Sequence, residues 1–252
     1  MMALANPANF MRISGRLLPW LAATTAVCLL VGLILALVVA PPDYQQGETV
    51  RIMFIHVPAA WVASLCYMVM TGAALGTLVW RHPLADAAQK AAAPLGAAFT
   101  FTCLVTGSLW GKPMWGTYWV WDARLTSVLV LFLIYLGLIG LWQAIEEPGR
   151  AARAAAIMTL VGVVNIPIVK FSVDWWNTLH QPASVFRMGG PALDPSMLWP
   201  LLVMAAGFSL LFATLHLYAI RTEVLRRRLR RLMLNAAVPA AATTFAIVEA
   251  AP

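Results

Sequence analysis

Six stretches of the chain are apolar for long enough to cross a bilayer, roughly residues 19–40, 57–80, 91–110, 125–143, 154–171 and 197–220. A helical crossing needs about 20 mostly apolar residues. Lipid offers the backbone no hydrogen-bond partner, so a crossing segment bonds to itself as a helix or closes into a barrel. The six runs lack the alternation of lipid-facing and lumen-facing positions that barrel strands show. They are therefore predicted to be helices. The fifth run is the shortest, and Lys170 at its end can reach the interface along its own alkyl stem. The predicted fold is all-α, with six transmembrane helices in one polytopic membrane domain over residues 1–252.

The polar positions between the runs set the orientation. Basic residues gather on the cytoplasmic side of membrane proteins. With the N-terminus inside, the inner side carries Arg12, Arg16, Arg81, Lys90, Arg150, Arg153, Arg221, Arg226, Arg227, Arg228, Arg230 and Arg231, twelve of the 17 Lys and Arg residues. The outer side carries Arg51, Lys112, Arg124, Lys170 and Arg187. Both termini then fall inside, as an even number of spans requires. The outer connections are 41–56, 111–124 and 172–196, the inner loops are short, and the Ala-rich tail after residue 232 is expected to be poorly ordered.

Composition agrees with the pattern. Hydrophobic residues make up 62% of the chain and charged residues 11%, whereas soluble domains run near 25% charged. A soluble fold of this chain would lack the polar surface to cover its core. The net charge of +7 does not indicate nucleic acid. The arginine cluster follows directly on an apolar run and reads as an anchor facing anionic lipid in the bilayer. Cys28, Cys66 and Cys103 each stand alone inside an apolar run, with no C-x-x-C pair and no C-x-x-C-H, and read as small packing residues. The first run is too long for the core of a cleaved signal peptide. No internal repeat or linker is evident.

Candidate chemistry is concentrated in the second outer connection. Trp110, Trp115, Trp119, Trp121 and Tyr118 crowd into one short segment. An aromatic belt at the interface is the plain reading, but a belt scatters its rings over many helix ends. Such density on one loop also suits a flat apolar platform for a planar ligand or a partner. Gly111 and Gly116 would let backbone approach what binds there. Of the four histidines, His82 and His216 fall on the inner side and read as structural. His56 and His180 fall on the outer side, on different connections, from which they could approach the platform from two directions. Two imidazoles flanking an aromatic surface suit a haem iron, whose axial bonds imidazole nitrogens supply. Arg51 and Arg124 are outer guanidiniums able to take a propionate in a forked pair of hydrogen bonds. The plainer readings are a solvated loop charge for Arg51 and a helix-end anchor paired with Asp122 for Arg124. Asp122 would orient Arg124 or the loop, or simply cap the helix that follows.

At these residues the chain resembles a known family. Trp115-Gly116-Thr117-Tyr118-Trp119-Val120-Trp121-Asp122-Ala123-Arg124-Leu125-Thr126 is similar to the WGxxWxWDxRLT signature of the Trp-rich haem-handling proteins of cytochrome c biogenesis. The six-span size resembles the CcmC branch; CcmF and CcsA/ResC carry this kind of motif with more spans or different flanks. His56 in MFIHVPAAW and His180 in WWNTLHQPAS match the two histidines of the family. The resemblance implies that haem b is held between His56 and His180 against Trp115, Trp119 and Trp121, with Asp122, Arg124 and Arg51 around it. It implies delivery to the haem chaperone CcmE, beside the ABC proteins CcmA and CcmB and the small membrane protein CcmD, in the bacterial inner membrane with the site on the periplasmic face. The expected role is haem binding and transfer of a haem-lyase-like kind. No Walker A motif is present, so ATP hydrolysis would belong to a partner, and no nucleophile with an adjacent base is evident. The alternatives are a permease subunit and a b-type cytochrome exchanging electrons with quinone. Broken helices and midplane polar groups would mark a permease, and Asn165 and Pro167 are the only modest hints of that. A b-type cytochrome would place its histidines inside the bundle.

Overall fold

The structure is a computed structural model that describes residues 6–182, 184, 185 and 187–249, with side chains in the last helix as far as residue 236. Among the described residues, six helices are long and apolar enough to cross a membrane, in agreement with the predicted fold, and no strand is present. The chain is a multi-pass membrane protein. α1 covers Pro7–Ile34 and runs on through a π-helical turn, Leu35–Val39. A short 3-10 segment, Glu48–Ile52, leads into α2, Met53–Val79. α3 is Ala85–Trp115 and α4 is Ala123–Ala144. The fifth crossing is two helices, α5 at Pro148–Gly162 and α6 at Asn165–Trp175. α7 runs from Pro195 to Glu249.

Several crossings run past their apolar stretch to a residue that caps them. Asn6 accepts the Ala8 N–H and Pro7 opens α1, where a missing N–H costs nothing. Glu147 accepts from Gly149 and Arg150 at the start of α5. α3 extends through Lys112 and Pro113 to Trp115, so residues 111–115, expected in a connection, are helical. It stops at Gly116, whose φ of 74° places it in the left-handed region and whose N–H bonds the Lys112 carbonyl. The tail after 232, expected to be poorly ordered, continues α7 as helix to Glu249. Alanine, which dominates that tail, is the strongest helix former.

The middle of the bundle is apolar and most of its few polar groups are paired, as a bilayer interior demands, with Gln89 Oε1 and the Trp142 indole N–H the exceptions. Tyr67 and Tyr135 meet edge to face at 5.5 Å. The Tyr135 hydroxyl donates to the Ala63 carbonyl, the Tyr67 hydroxyl to the Thr159 carbonyl, and the Gln89 amide to the Thr159 hydroxyl. A Cβ on Gly96 would collide with the Tyr135 ring, so glycine there is what admits the tyrosine. Cys66 and Cys103 are buried free thiols, as packing residues should be. At the arginine-rich end, Glu223 on α7 accepts from Lys90 at 3.1 Å and Arg227 at 2.9 Å, and Arg227 also meets Asp86 at 2.8 Å. His216 on α7 donates to the Ala88 carbonyl, and His82 accepts the Leu84 N–H, so both have structural partners.

Hydrogen bonds change partner across the break in the fifth crossing. Below it, Tyr67 of α2 holds α5 through the Thr159 carbonyl. Above it, the Asn165 amide donates to the Ser127 carbonyl of α4 at 2.9 Å. α5 packs on α2 and α4, whereas α6 packs chiefly on α4. At the opposite end from the arginines, this leaves room between α2, α3, α4 and α6.

Candidate haem site

That room is a cavity with an empty volume of about 540 Å³, its open mouth included. Its walls hold His56, Gly107, Trp115, Trp119, Arg124 and His180. His56 lies in the first turn of α2. Its Nδ1–H donates to the Cys103 carbonyl and the Thr106 hydroxyl of α3, each at 3.1 Å. The Thr106 hydroxyl spends its own proton on the Thr102 carbonyl at 2.6 Å, so toward His56 it is an acceptor. Nε2 is left as the nitrogen free to bind a ligand. The ring has space because α3 carries Gly107 beside it: a Cβ there would stand 2.8 Å from His56 Cε1. Trp110 meets the same ring edge to face at 5.7 Å and donates to Gln46, which ties the 41–47 turn to α3.

His180 arrives from the connection after α6. Trp115 lies edge-on to its ring at 4.9 Å. Burial, followed by the Arg124 guanidinium, lowers its pKa to about 4 against the raising influence of Asp122. At neutral pH its imidazole is therefore uncharged, the form that coordinates metal. Asp122 ends the Trp loop and caps α4, its Oδ1 accepting the Leu125 N–H at 2.7 Å, as the capping alternative had it. Its Oδ2 lies 3.8 Å from His180 Nδ1. Arg124 does not pair with Asp122, as its plainer reading had it; its Nε donates to the Ser172 hydroxyl and its Nη2 to the Lys170 carbonyl.

The structure thus brings His56, His180, Trp115, Trp119 and Arg124 to one cavity. It does not bring Arg51 there. The Arg51 guanidinium donates to the Ala36 and Ala40 carbonyls and pairs with Glu48, closing the carbonyl end of α1. Those carbonyls lack helical partners, a demand that nothing in the residues around Arg51 announces. Trp121 packs edge to face on Trp119 but is 77% exposed, outside the cavity wall. Sequence reasoning missed Thr106, Gly107 and Ser172. The small-residue run Thr106-Gly107-Ser108 inside an apolar crossing was the available signal for the first two.

The residues present fit a haem. Two imidazoles from different segments face one cavity with aromatic walls, and a guanidinium lies at its edge. The indole N–H of Trp119 is buried there with no hydrogen-bond partner, a donor that a ligand carrying carboxylates would satisfy.

Fold and cavity together define a class: α-helical multi-pass membrane proteins with an imidazole-lined cavity at one end of the bundle. Comparison with known families narrows it. The CcmC family, described as heme exporter protein C, matches residues 1–235, and the chain belongs to that family. It is 68% identical over 231 residues to a protein named Heme exporter protein C from Bradyrhizobium diazoefficiens, covering 92% of this chain and 88% of that one. The Escherichia coli protein of that name is 50% identical over 228 residues, 90% of this chain and 92% of its own. The Paracoccus denitrificans protein is 46% identical over 230 residues, 91% and 95% respectively.

Proposed function

We propose that this chain holds haem b at the periplasmic face of the inner membrane and presents it to the haem chaperone CcmE, working beside CcmA, CcmB and CcmD in the maturation of c-type cytochromes. Both termini lie in the cytoplasm on this reading, following the distribution of basic residues. Membership of the heme exporter protein C family supports haem as the cargo.

The observation that carries the reading is the pair of histidines. His56 and His180 come from separate segments, line one cavity, and each has Nδ1 turned to a protein acceptor, leaving Nε2 for iron. His56 and His180 would each offer an Nε2 lone pair to the iron. Trp115 and Trp119 offer the ring broad aromatic contact, and Arg124 and the Trp119 N–H take the propionates. Trp121, exposed beside them, faces the side from which a chaperone would approach. Holding by dispersion over a wide area, with the ligand bonds at the edge of the bundle, lets the cargo leave when a partner competes for it.

The test is the absorption spectrum of the purified protein, oxidised and reduced. A His56→Ala, His180→Ala double variant is expected to lose six-coordinate haem, and added imidazole to restore part of it. Full occupancy with an unchanged spectrum in that variant refutes the reading.

A further inference from the structure

Besides the Trp119 N–H, two buried atoms near the cavity have no hydrogen-bond partner, and these two face each other. They are Asp122 Oδ2 and His180 Nδ1, 3.8 Å apart. The Asp122 side chain is only 9% exposed, so water does little to solvate its free oxygen. Buried carboxylate oxygens are rarely left without a donor. Arg124, two residues on, would be the natural one, but its bonds go to Ser172 and Lys170. The other oxygen of Asp122 is already used on the Leu125 N–H. The His180 ring has Trp115 edge-on at 4.9 Å, and its backbone N–H is held by the Thr178 hydroxyl. A closure of under about 1 Å makes the missing bond, and contacts of this kind often stand long until the ligand is bound.

From this geometry we infer that Asp122 is the positioning residue for His180, taking the Nδ1 proton on its free carboxylate oxygen and so presenting a bare Nε2 to the cavity. The inference rests on the haem-holding reading for its purpose, though not for its geometry. A neutral imidazole has one N–H, and its place decides which nitrogen can coordinate. His56 is fixed in the same sense by different means, a carbonyl and a hydroxyl. The two ligands are therefore unlike. The imidazole backed by a carboxylate is the stronger electron donor of the two, because a carboxylate behind a ligating histidine raises its basicity. The arrangement also explains why the acidic residue sits where it does in the Trp loop. One carboxylate fixes the start of α4 with one oxygen and the orientation of His180 with the other, so loop and ligand share a single anchor.

The experiment compares Asp122→Asn with Asp122→Ser. Both substitutes are good caps for α4, and Asn keeps the shape of Asp. An Asn placed with its oxygen on the Leu125 N–H points its amide donor at His180 Nδ1, which demands the opposite tautomer. Ser offers neither acceptor nor wrong-way donor there. If Asp122 only caps, Asn matches the native chain and outperforms Ser. If Asp122 positions His180, the order of haem affinity is native, then Ser, then Asn, with at least about a tenfold loss for Asn. In a His180→Ala background the same substitutions should add nothing, because the group they act through is gone. Asn equal to or better than Ser, or an undiminished effect without His180, overturns the proposal. A second readout needs no haem. Nitrogen NMR of ring-labelled histidine in the haem-free protein should show His180 protonated on Nδ1 in the native chain and on Nε2 in Asp122→Asn. Nε2 protonation in the native chain overturns the positioning role. A normal Nδ1 tautomer beside an unaffected haem spectrum in the His56→Ala, His180→Ala variant would instead remove the haem reading and leave the dyad standing.

Discussion

Adding a single methyl group at Gly107 tests how the cavity holds His56. In Gly107→Ala the new Cβ lies 2.8 Å from His56 Cε1, where ordinary contact begins at 3.4 Å, so the ring must retreat by about 0.6 Å. The acceptors of its Nδ1–H, Cys103 and Thr106, stand on the same face of α3, so the retreat stretches bonds that now measure 3.1 Å to about 3.7 Å, beyond useful hydrogen bonding. Losing that shared bond costs about 1 kcal/mol, and displacing a packed ring costs about 1–3 kcal/mol more. Against this, alanine stabilises a helix interior by about 1 kcal/mol relative to glycine. The variant should be less stable by about 1–3 kcal/mol, a figure that combines those terms. Its haem affinity should fall by at least about tenfold, the usual cost of freeing a ligating histidine from the group that orients it. Thermal melting of the haem-free protein in detergent and haem content of the purified protein measure the two effects. A variant that melts higher than the native chain and retains all its haem follows the helix-propensity term alone, and the assigned grip on His56 would be refuted.

The other predictions use differences in placement. Trp115→Ala should reduce haem content, whereas Trp121→Ala, altering a ring that is 77% exposed, should retain haem and reduce covalent haem on co-expressed chaperone; equal effects on both readouts would erase the distinction. Arg51→Ala should lower thermal stability by about 1.5–3 kcal/mol, the worth of charge-assisted bonds, while haem content stays unchanged; haem loss with an unchanged melt would return Arg51 to a propionate. Glu223→Gln leaves Lys90 and Arg227 short of their shared carboxylate and should cost about 1–3 kcal/mol, below the full value for a buried pair because both cations are partly exposed. A native melt would show that the network is only decoration. A cysteine placed at 117 in a chain without its native cysteines should react with an impermeant thiol reagent in intact cells; protection there and labelling in the loop at 81–84 would invert the topology.

The crossings were readable from sequence because lipid imposes one requirement, a run of apolar residues, and the chain meets it six times. Their ends were not, since Asn6, Glu147 and Gly116 act by capping, which hydropathy does not register. His56 and His180 were legible as the two histidines outside the basic side. Their partners were not. Spacing suggested Arg124 for Asp122, whereas the fold turns Asp122 to a histidine far along the chain and Arg124 to the end of α6. Arg51 looked free because the carbonyls it meets belong to a turn, Leu35–Val39, whose π-helical winding the apolar run conceals. Asn165 and Pro167 did signal irregularity in the fifth crossing, but only the packing reveals what the irregularity is for.

The interruption after Gly162 works as a width adjustment. Had the fifth crossing stayed straight, its upper half would have remained against α2, and the bundle would have closed over His56 as a solid rod of helices. Bending at residues 163–164 transfers that half to α4, where the Asn165–Ser127 bond and the two bonds of Arg124 pin it. The gap thus depends on where one helix leans as well as on the small side chain at Gly107. Its span is set by three hydrogen bonds to a single neighbour, so a substitution at Ser172 or Asn165, with no atom of either exchanged for one in contact with cargo, would still change what the protein can carry.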